Sequence, residues 1–279
     1  MSYKTILVHV DESAHASERI KIAAAIAMTQ DAHLIGTAMT GASRYLVQTR
    51  MLVELDPNLR THLDFLRQRA RRGLEDFEAS AQKLGLPSFE KRLVDDEAGG
   101  GICLQARYAD LIVIGQHDPN EISPVTMPDF AQYVVLNSGR PVLLVPYAGR
   151  FDTIGNRVLV AWNGSMEATR AITSAMPLLK RAPMVDVAVF NPNAEPLAHG
   201  PQPGADMGLY LARHGIRVNV LQRQTSQETG SALLALAREL NSDLVIMGGY
   251  GHNRFREILL GGVTRTVLDE MTIPVLMSH

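Results

Sequence analysis

The chain repeats itself, and no other feature of the sequence constrains the fold as tightly. Lys4-Thr-Ile-Leu-Val-His-Val-Asp-Glu-Ser13 is matched by Asn156-Arg-Val-Leu-Val-Ala-Trp-Asn-Gly-Ser165. Ala109-Asp-Leu-Ile-Val-Ile-Gly115 is matched by Ser242-Asp-Leu-Val-Ile-Met-Gly248, and Arg140-Pro-Val-Leu-Leu-Val145 by Ile273-Pro-Val-Leu-Met277. The last two matches share an offset of 133, while the first has an offset of 152, so the first half carries 19 extra residues. The surplus is assigned to the charged stretch between Gly41 and Gly85. At ~150 residues per domain, 279 residues hold roughly two domains, read here as 1–148 and 155–279 around the polar stretch Tyr147–Gly155.

Within each half, short aliphatic runs alternate with segments of helical period. Strands are predicted near 4–10, 33–39, 89–94, 110–115 and 141–146, and again near 157–162, 184–190, 216–221, 243–248 and 273–277. The runs lack clean alternation, as expected of strands covered on both faces. Ile20, Ala23, Ala24, Ala27 and Met28 form one helical stripe, and Leu233, Leu236, Ala237 and Leu240 another. Ser13 and Ser165 stand where the first helix of each half should be capped. The fold class is therefore α/β: two tandem doubly wound domains, each a five-stranded parallel sheet flanked by helices. Leu59, Leu63, Leu66, Ala70 and Leu74 or Phe77 give Arg44–Lys83 a helical stripe as well. Its arginines, Arg67, Arg69, Arg71 and Arg72, are read as a solvated face. Asn191–Gly208, rich in Pro and Gly, is read as a loop able to cover a site.

Composition removes several function classes. A net charge of −2 gives no general field for nucleic acid or anionic membrane. One cysteine excludes a disulfide framework or a multi-cysteine metal site, and fits a reducing, cytoplasmic setting. Cys103 lies on an apolar stripe and reads as a small buried hydrophobe. No apolar run reaches ~18 residues, and Asp11 arrives too early for a secretion signal.

In a doubly wound sheet a ligand sits beyond the carboxyl ends of the strands, where strand order reverses. There the second half carries Met247-Gly248-Gly-Tyr-Gly251-His252, with Arg254 and Arg256, and then Gly261-Gly262-Val263-Thr264 at the start of a helix. Glycines allow positive φ and close backbone approach, and a helix N-terminus favours an anion. Tight turns alone are the structural reading of the same glycines. Gly-x4-Gly-Lys-Ser/Thr is absent, so this is no Walker-type NTPase. Gly99-Gly100-Gly101 follows the third strand at a sheet edge and reads as a turn or cap.

These residues carry a family resemblance. The whole chain resembles the universal stress proteins in their tandem form. Gly248, Gly251 and Gly261 match the family's Gly-x2-Gly-x9-Gly-Ser/Thr in type and spacing, whereas Gly262 stands where a Ser or Thr is usual. The resemblance implies binding of ATP or a related adenine nucleotide, with or without Mg2+, and a regulatory or protective role in stress. It implies a base pocket formed by Ala161, Trp162, Asn163 and Phe190, with Met247, Gly248, Gly251, His252, Gly261, Gly262, Val263 and Thr264 lining ribose and phosphates. Asn163 replaces the usual acid that ends the first strand. A lost hydroxyl at 262 would weaken binding on the order of 10–100-fold unless backbone amides or Thr264 compensate.

At the matching places of the first half stand Gly115, Asp118, Pro128, Asp129 and Ala131. Two carboxylates and a missing N–H oppose a phosphate, so this half is not expected to bind ATP. His9, Asp11, His117, Asp118 and Asp129 could gather there around a metal; core and loop roles are the alternative. Neither half shows a general base, a nucleophile or a dedicated metal set, so at most slow ATP hydrolysis is expected. Ser165 lacks a nucleophile-elbow spacing. The competing reading is a protein-interaction module whose pocket has lost ATP, and strand edges could pair two chains into a homodimer.

Overall fold

The computed structural model describes residues 2–45, 56–121, 123, 125–192, 202–251 and 262–279. Two compact units divide between Arg140 and Pro141.

In the first unit, β1 (Thr5–His9), β2 (His33–Met39), β3 (Phe89–Val94) and β4 (Leu111–Gly115) form a parallel sheet in the order β3-β2-β1-β4. The helices are α1 (Ala16–Gln30), α2 (Pro57–Lys83), α3 (Ala98–Ala106) and α4 (Phe130–Asn137). In the second unit, β6 (Arg157–Ala161), β7 (Met184–Phe190), β8 (Val218–Arg223), β9 (Leu244–Gly248) and β10 (Val275–Ser278) repeat that parallel order, β8-β7-β6-β9-β10. β5 (Val142–Val145) also falls in this unit, antiparallel to β10 with Val142 opposite Met277. The remaining helices are α5 (Met166–Ser174), α6 (Met176–Leu179), α7 (Ala205–Arg213), α8 (Thr229–Glu239) and α9 (Val263–Glu270). The class is α/β and doubly wound. In each unit the strand order reverses beside the first strand, at β1/β4 and at β6/β9.

Central strands are buried along nearly their whole length, whereas β3 and β8 are edges with partly exposed residues throughout. Most of the 19 surplus residues go into helix: α2 has 27 residues where α7 has nine. Asp56 caps α2 by accepting from the Asn58 and Leu59 amides, with Pro57 in the first turn. Leu63, Ala70, Leu74 and Phe77 are its buried stripe. Of the four arginines at 67, 69, 71 and 72, three are paired rather than merely solvated. Arg67 meets Asp95 at 2.8 Å, and Arg69 and Arg72 both meet Glu12, at 2.5 and 2.7 Å.

Several local expectations change. Met28 is 42% exposed, because the buried arc of α1 runs through Ile22 and Ile26 and ends before position 28. Ser13 does not cap α1. That helix starts at Ala16, and the Ser13 hydroxyl donates to Asp11 at 2.6 Å instead. Ser165 does cap α5, accepting from the Ala168 amide at 3.1 Å. Gly99–Gly101 form no turn; they lie in the first turn of α3, where a Cβ at Gly101 would meet Met39 at 2.8 Å. Residues 193–201 of the expected loop lie outside the described residues, and 205–208 belong to α7, where a Cβ at Gly208 would meet Val220 at 2.7 Å. Cys103 is half-buried, and burial pushes its thiol up to about 11, away from reactive thiolate chemistry.

The repeated Asp before the fourth strand has a structural duty. Asp110 accepts from the Lys4 and Thr5 amides at 2.7 and 3.0 Å. Asp243 accepts from the Gly155, Asn156 and Arg157 amides, each at 3.0 Å. Each thus ties the start of its unit's first strand to the start of the fourth. Asp243→Ala strands three donors and should cost about 1–3 kcal/mol. Asp269→Ala, on an exposed helix face, should stay within about 0.5 kcal/mol. Urea midpoints for the two variants test this ordering.

Candidate functional site

The carboxyl ends of β6 and β9 bring Ala161, Trp162, Asn163, Met247, Gly248 and Gly251 to one end of the second unit's sheet. Phe190 ends β7 on the far side of β6. Trp162 and Phe190 are half-buried and Asn163 is exposed. The Asn163 Oδ1 accepts from the Ser165 amide at 3.1 Å, so this oxygen shapes the turn into α5. Gly262 is the N-cap of α9 and offers no side-chain cap, and Val263 and Thr264 form its first turn. The amides of that turn are the anion-favouring groups expected from sequence. His252 and Gly261, with Arg254 and Arg256, lie outside the described residues.

The glycines do not act as expected. Gly248, Gly251 and Gly262 have no positive φ; in this stretch it is Tyr250 that adopts the left-handed conformation, at φ 55°. Gly248 is required for packing. A Cβ there would stand 2.6 Å from the Ala168 nitrogen and 2.8 Å from the Glu167 backbone carbon, so the end of α5 sits directly on it. Gly251 differs: among the described residues, a Cβ there would meet only one carboxylate oxygen, Glu167 Oε2, at 3.5 Å. Thr264 is buried, and its hydroxyl oxygen accepts from the Tyr250 amide at 3.1 Å. It therefore fixes the glycine stretch against α9, which limits how far it can replace the hydroxyl missing at 262.

Glu167 escaped the sequence reading. Only 9% of it is exposed, and its Oε2 has no hydrogen-bond partner among the described residues. A buried carboxylate beside Gly251 favours a cation or a hydrogen-bond donor at this mouth. Superposing the repeats by their offset would have found it, since Glu167 matches His15.

At the end of the fourth strand, the space that backbone takes at Gly248 is taken in the first unit by a side chain. A Cβ on Gly115 would stand 2.5 Å from Arg19 Nη1. Arg19, 4% exposed, donates to the His9 carbonyl at 2.7 Å and to Asp11 at 2.8 Å. Its counterpart in the second repeat is the fully buried Ala171. Asp11 also accepts from Ser13 and lies 3.5 Å from His9 Nδ1. Of the residues considered for a metal, His9 and Asp11 thus stand together. Asp118 pairs with His15 instead, His117 is exposed, and Asp129 is the exposed N-cap of α4. The set with metal-ligand geometry among the described residues is His15, Asp118 and Glu121.

Burial dominates His9 and holds its pKa at about 4, against a pull upward from Asp11 and a further push down from Arg19. For Asp11, burial acts to raise the pKa, but Arg19, His9 and Ser13 together hold it well below the usual carboxylate range. His9 is therefore neutral in the fold down to about pH 4, whereas in the unfolded chain it takes up a proton below its ordinary 6.5. Its contribution is complete above pH 6.5 and lost as pH falls to 4, about 3 kcal/mol in all. His9→Leu should flatten this part of a stability–pH curve measured by denaturant unfolding. Equal slopes for the two proteins would refute the assignment.

Comparison with known proteins agrees with the fold and the repeat. The model of the universal stress protein family matches residues 2–146 and 155–279. A universal stress protein of Synechocystis sp. is 25% identical over 253 residues, spanning 88% of this chain and 83% of that protein. The crystal structure of a universal stress protein from Archaeoglobus fulgidus superposes with a TM-score of 0.75 at 17% identity, over 98% of this chain and 95% of the other. A putative universal stress protein from Pseudomonas aeruginosa gives 0.63 at 15% identity, over 99% and 93%. Among the described residues, no helix is long and apolar enough to cross a membrane. With both repeats matched across almost the entire sequence, the chain belongs to the universal stress protein family.

Proposed function

We propose that the second repeat, 155–279, binds ATP or a related adenine nucleotide, and that the first, 1–148, is a partner domain with a closed site. One observation carries this reading: where the first unit has Asp118, paired with His15, the second has Gly251, whose Cβ among the described residues would meet only Glu167 Oε2 at 3.5 Å, next to Tyr250, whose amide donates to Thr264 in the first turn of α9. Backbone amides at residues 262–264 would hold phosphate, and Trp162 and Phe190 offer apolar surface for a base. Glu167 would take the Mg2+ that accompanies a triphosphate. No nucleophile or general base stands at the described part of the site, so the role fits regulation or protection better than turnover.

Glu167 also favours a second reading, a protein-interaction module without nucleotide, because an unescorted anion would meet a buried carboxylate. Gly262 separates the two. Its φ of −61° and ψ of 177° suit any residue, so Gly262→Ser can supply the family's hydroxyl without backbone strain. Under the nucleotide reading, ATP–Mg raises the thermal midpoint of the unaltered protein. A ligand at 100 times its dissociation constant adds about 2.7 kcal/mol. Gly262→Ser should tighten binding by on the order of 10-fold or more, and Gly251→Asp should abolish it. Absence of binding by both the unaltered chain and Gly262→Ser at millimolar ATP would establish the interaction module instead.

A further inference from the structure

The mouth of the first unit holds a side-chain cluster that the nucleotide reading does not use. His15 is the N-cap of α1, and Asp118 and Glu121 lie in the turn that follows β4. His15 Nε2 stands 3.1 Å from Asp118 Oδ2. One donor atom from each of His15, Asp118 and Glu121 lies within 4.8 Å of the other two, and all three residues are half-buried. They are therefore held in place yet open to solvent.

The backbone fixes two of them. Asp118 Oδ1 accepts from the Asn120 amide at 2.8 Å, which leaves Oδ2 to face His15. Glu121 Oε1 accepts at 3.2 Å from the amide of Ala14, the residue before His15. Among the described residues, no Lys or Arg pairs with Asp118 or Glu121. The nearby cation, Arg19, is spent on Asp11 and the His9 carbonyl. Two carboxylates and an imidazole thus converge with no Lys or Arg paired to the carboxylates among the described residues.

The second repeat lacks this set. Glu167 matches His15, Gly251 matches Asp118, and Arg254 matches Glu121. An acid, a glycine and an arginine cannot make the same three-ligand site, so the first unit alone has it.

We propose that His15, Asp118 and Glu121 bind one divalent transition-metal ion of the Zn2+ class, with water completing the coordination. Nitrogen with two carboxylate oxygens suits such an ion, whereas Ca2+ and Mg2+ take all-oxygen sets. Binding replaces the His15–Asp118 hydrogen bond with bonds from the ion to Nε2 and Oδ2. Any proton on Nε2 leaves to solvent. Small side-chain rotations bring Glu121 to the same ion. The ion then ties the start of α1 to the turn after β4, across the point where strand order reverses.

The test uses the full chain, stripped with a chelator and titrated with Zn2+ alone by calorimetry, without nucleotide. One site per chain is expected. His15→Gln and Glu121→Gln should each weaken it at least tenfold, while His33→Gln, which breaks a different histidine–carboxylate pair at 3.7 Å, should not. Co2+ should give visible d–d bands that His15→Gln removes. Thermal midpoints of the metal-free variants establish that each is folded, and Asp118→Asn replaces any that is not. No bound Zn2+, or an affinity unmoved by His15→Gln and Glu121→Gln, overturns the proposal. The result is independent of nucleotide binding in the other repeat.

Discussion

There is no room for a side chain at the end of the fourth strand in either repeat, and the difference between the two sites grows from what fills that space. At Gly248 the filler is backbone: the first turn of α5 sits against the strand end. At Gly115 it is the Arg19 guanidinium. A buried guanidinium is tolerable only when its donors are satisfied, because an unpaired buried charge costs several kcal/mol. Asp11 and the His9 carbonyl provide those acceptors. Asp11, which ends the first strand where a ligand would be read, is therefore consumed by the fold. Ala171 brings no such demand to the second repeat, and Asn163, which follows the first strand there, is neutral.

From this one substitution of filler follow two electrostatic outcomes on one frame. The first unit satisfies its internal cation inside and leaves Asp118 and Glu121 outside it, facing His15. Among the described residues, the second has no buried cation at that place and sets a buried carboxylate, Glu167, beside Gly251. An acid at 118 and a glycine at 251 are thus parts of different local charge balances. Each can be understood only together with the residue facing it from the start of the neighbouring helix, His15 or Glu167.

Most of the frame was legible in the sequence because it rests on short-range pattern. Aliphatic runs marked the strands to within a residue or two, and the repeat set Asp110 against Asp243, although their ties to the first strand emerge only in the fold. The errors have a common physical origin. Met28, Ser13 and Gly99–Gly101 were judged by local propensity, but their roles depend on the width of a buried arc, on Asp11 as a competing acceptor, and on how closely Met39 approaches. Gly248, read for ligand approach, is also demanded by helix packing, which the sequence pattern does not show. Arg19, Glu167, His15 and Glu121 were missed because each acts through a partner distant in sequence. Aligning the two repeats residue by residue was the available signal, since it sets His15 against Glu167 and Arg19 against Ala171.

That alignment also separates the glycines the fold needs from those it does not. Gly115 and Gly248 are sterically enforced, so their presence in both repeats says nothing about a ligand. At Gly251 and Gly262 the backbone does not demand glycine: neither has a positive φ, and among the described residues a Cβ at 251 would meet only ordinary contact. The first repeat accordingly replaces them with Asp118 and Asp129 without loss of the fold. A glycine that packing and backbone leave free to change is the one whose retention has to be explained by what approaches it. In the second unit that reasoning leads to Gly251, beside the buried Glu167 carboxylate.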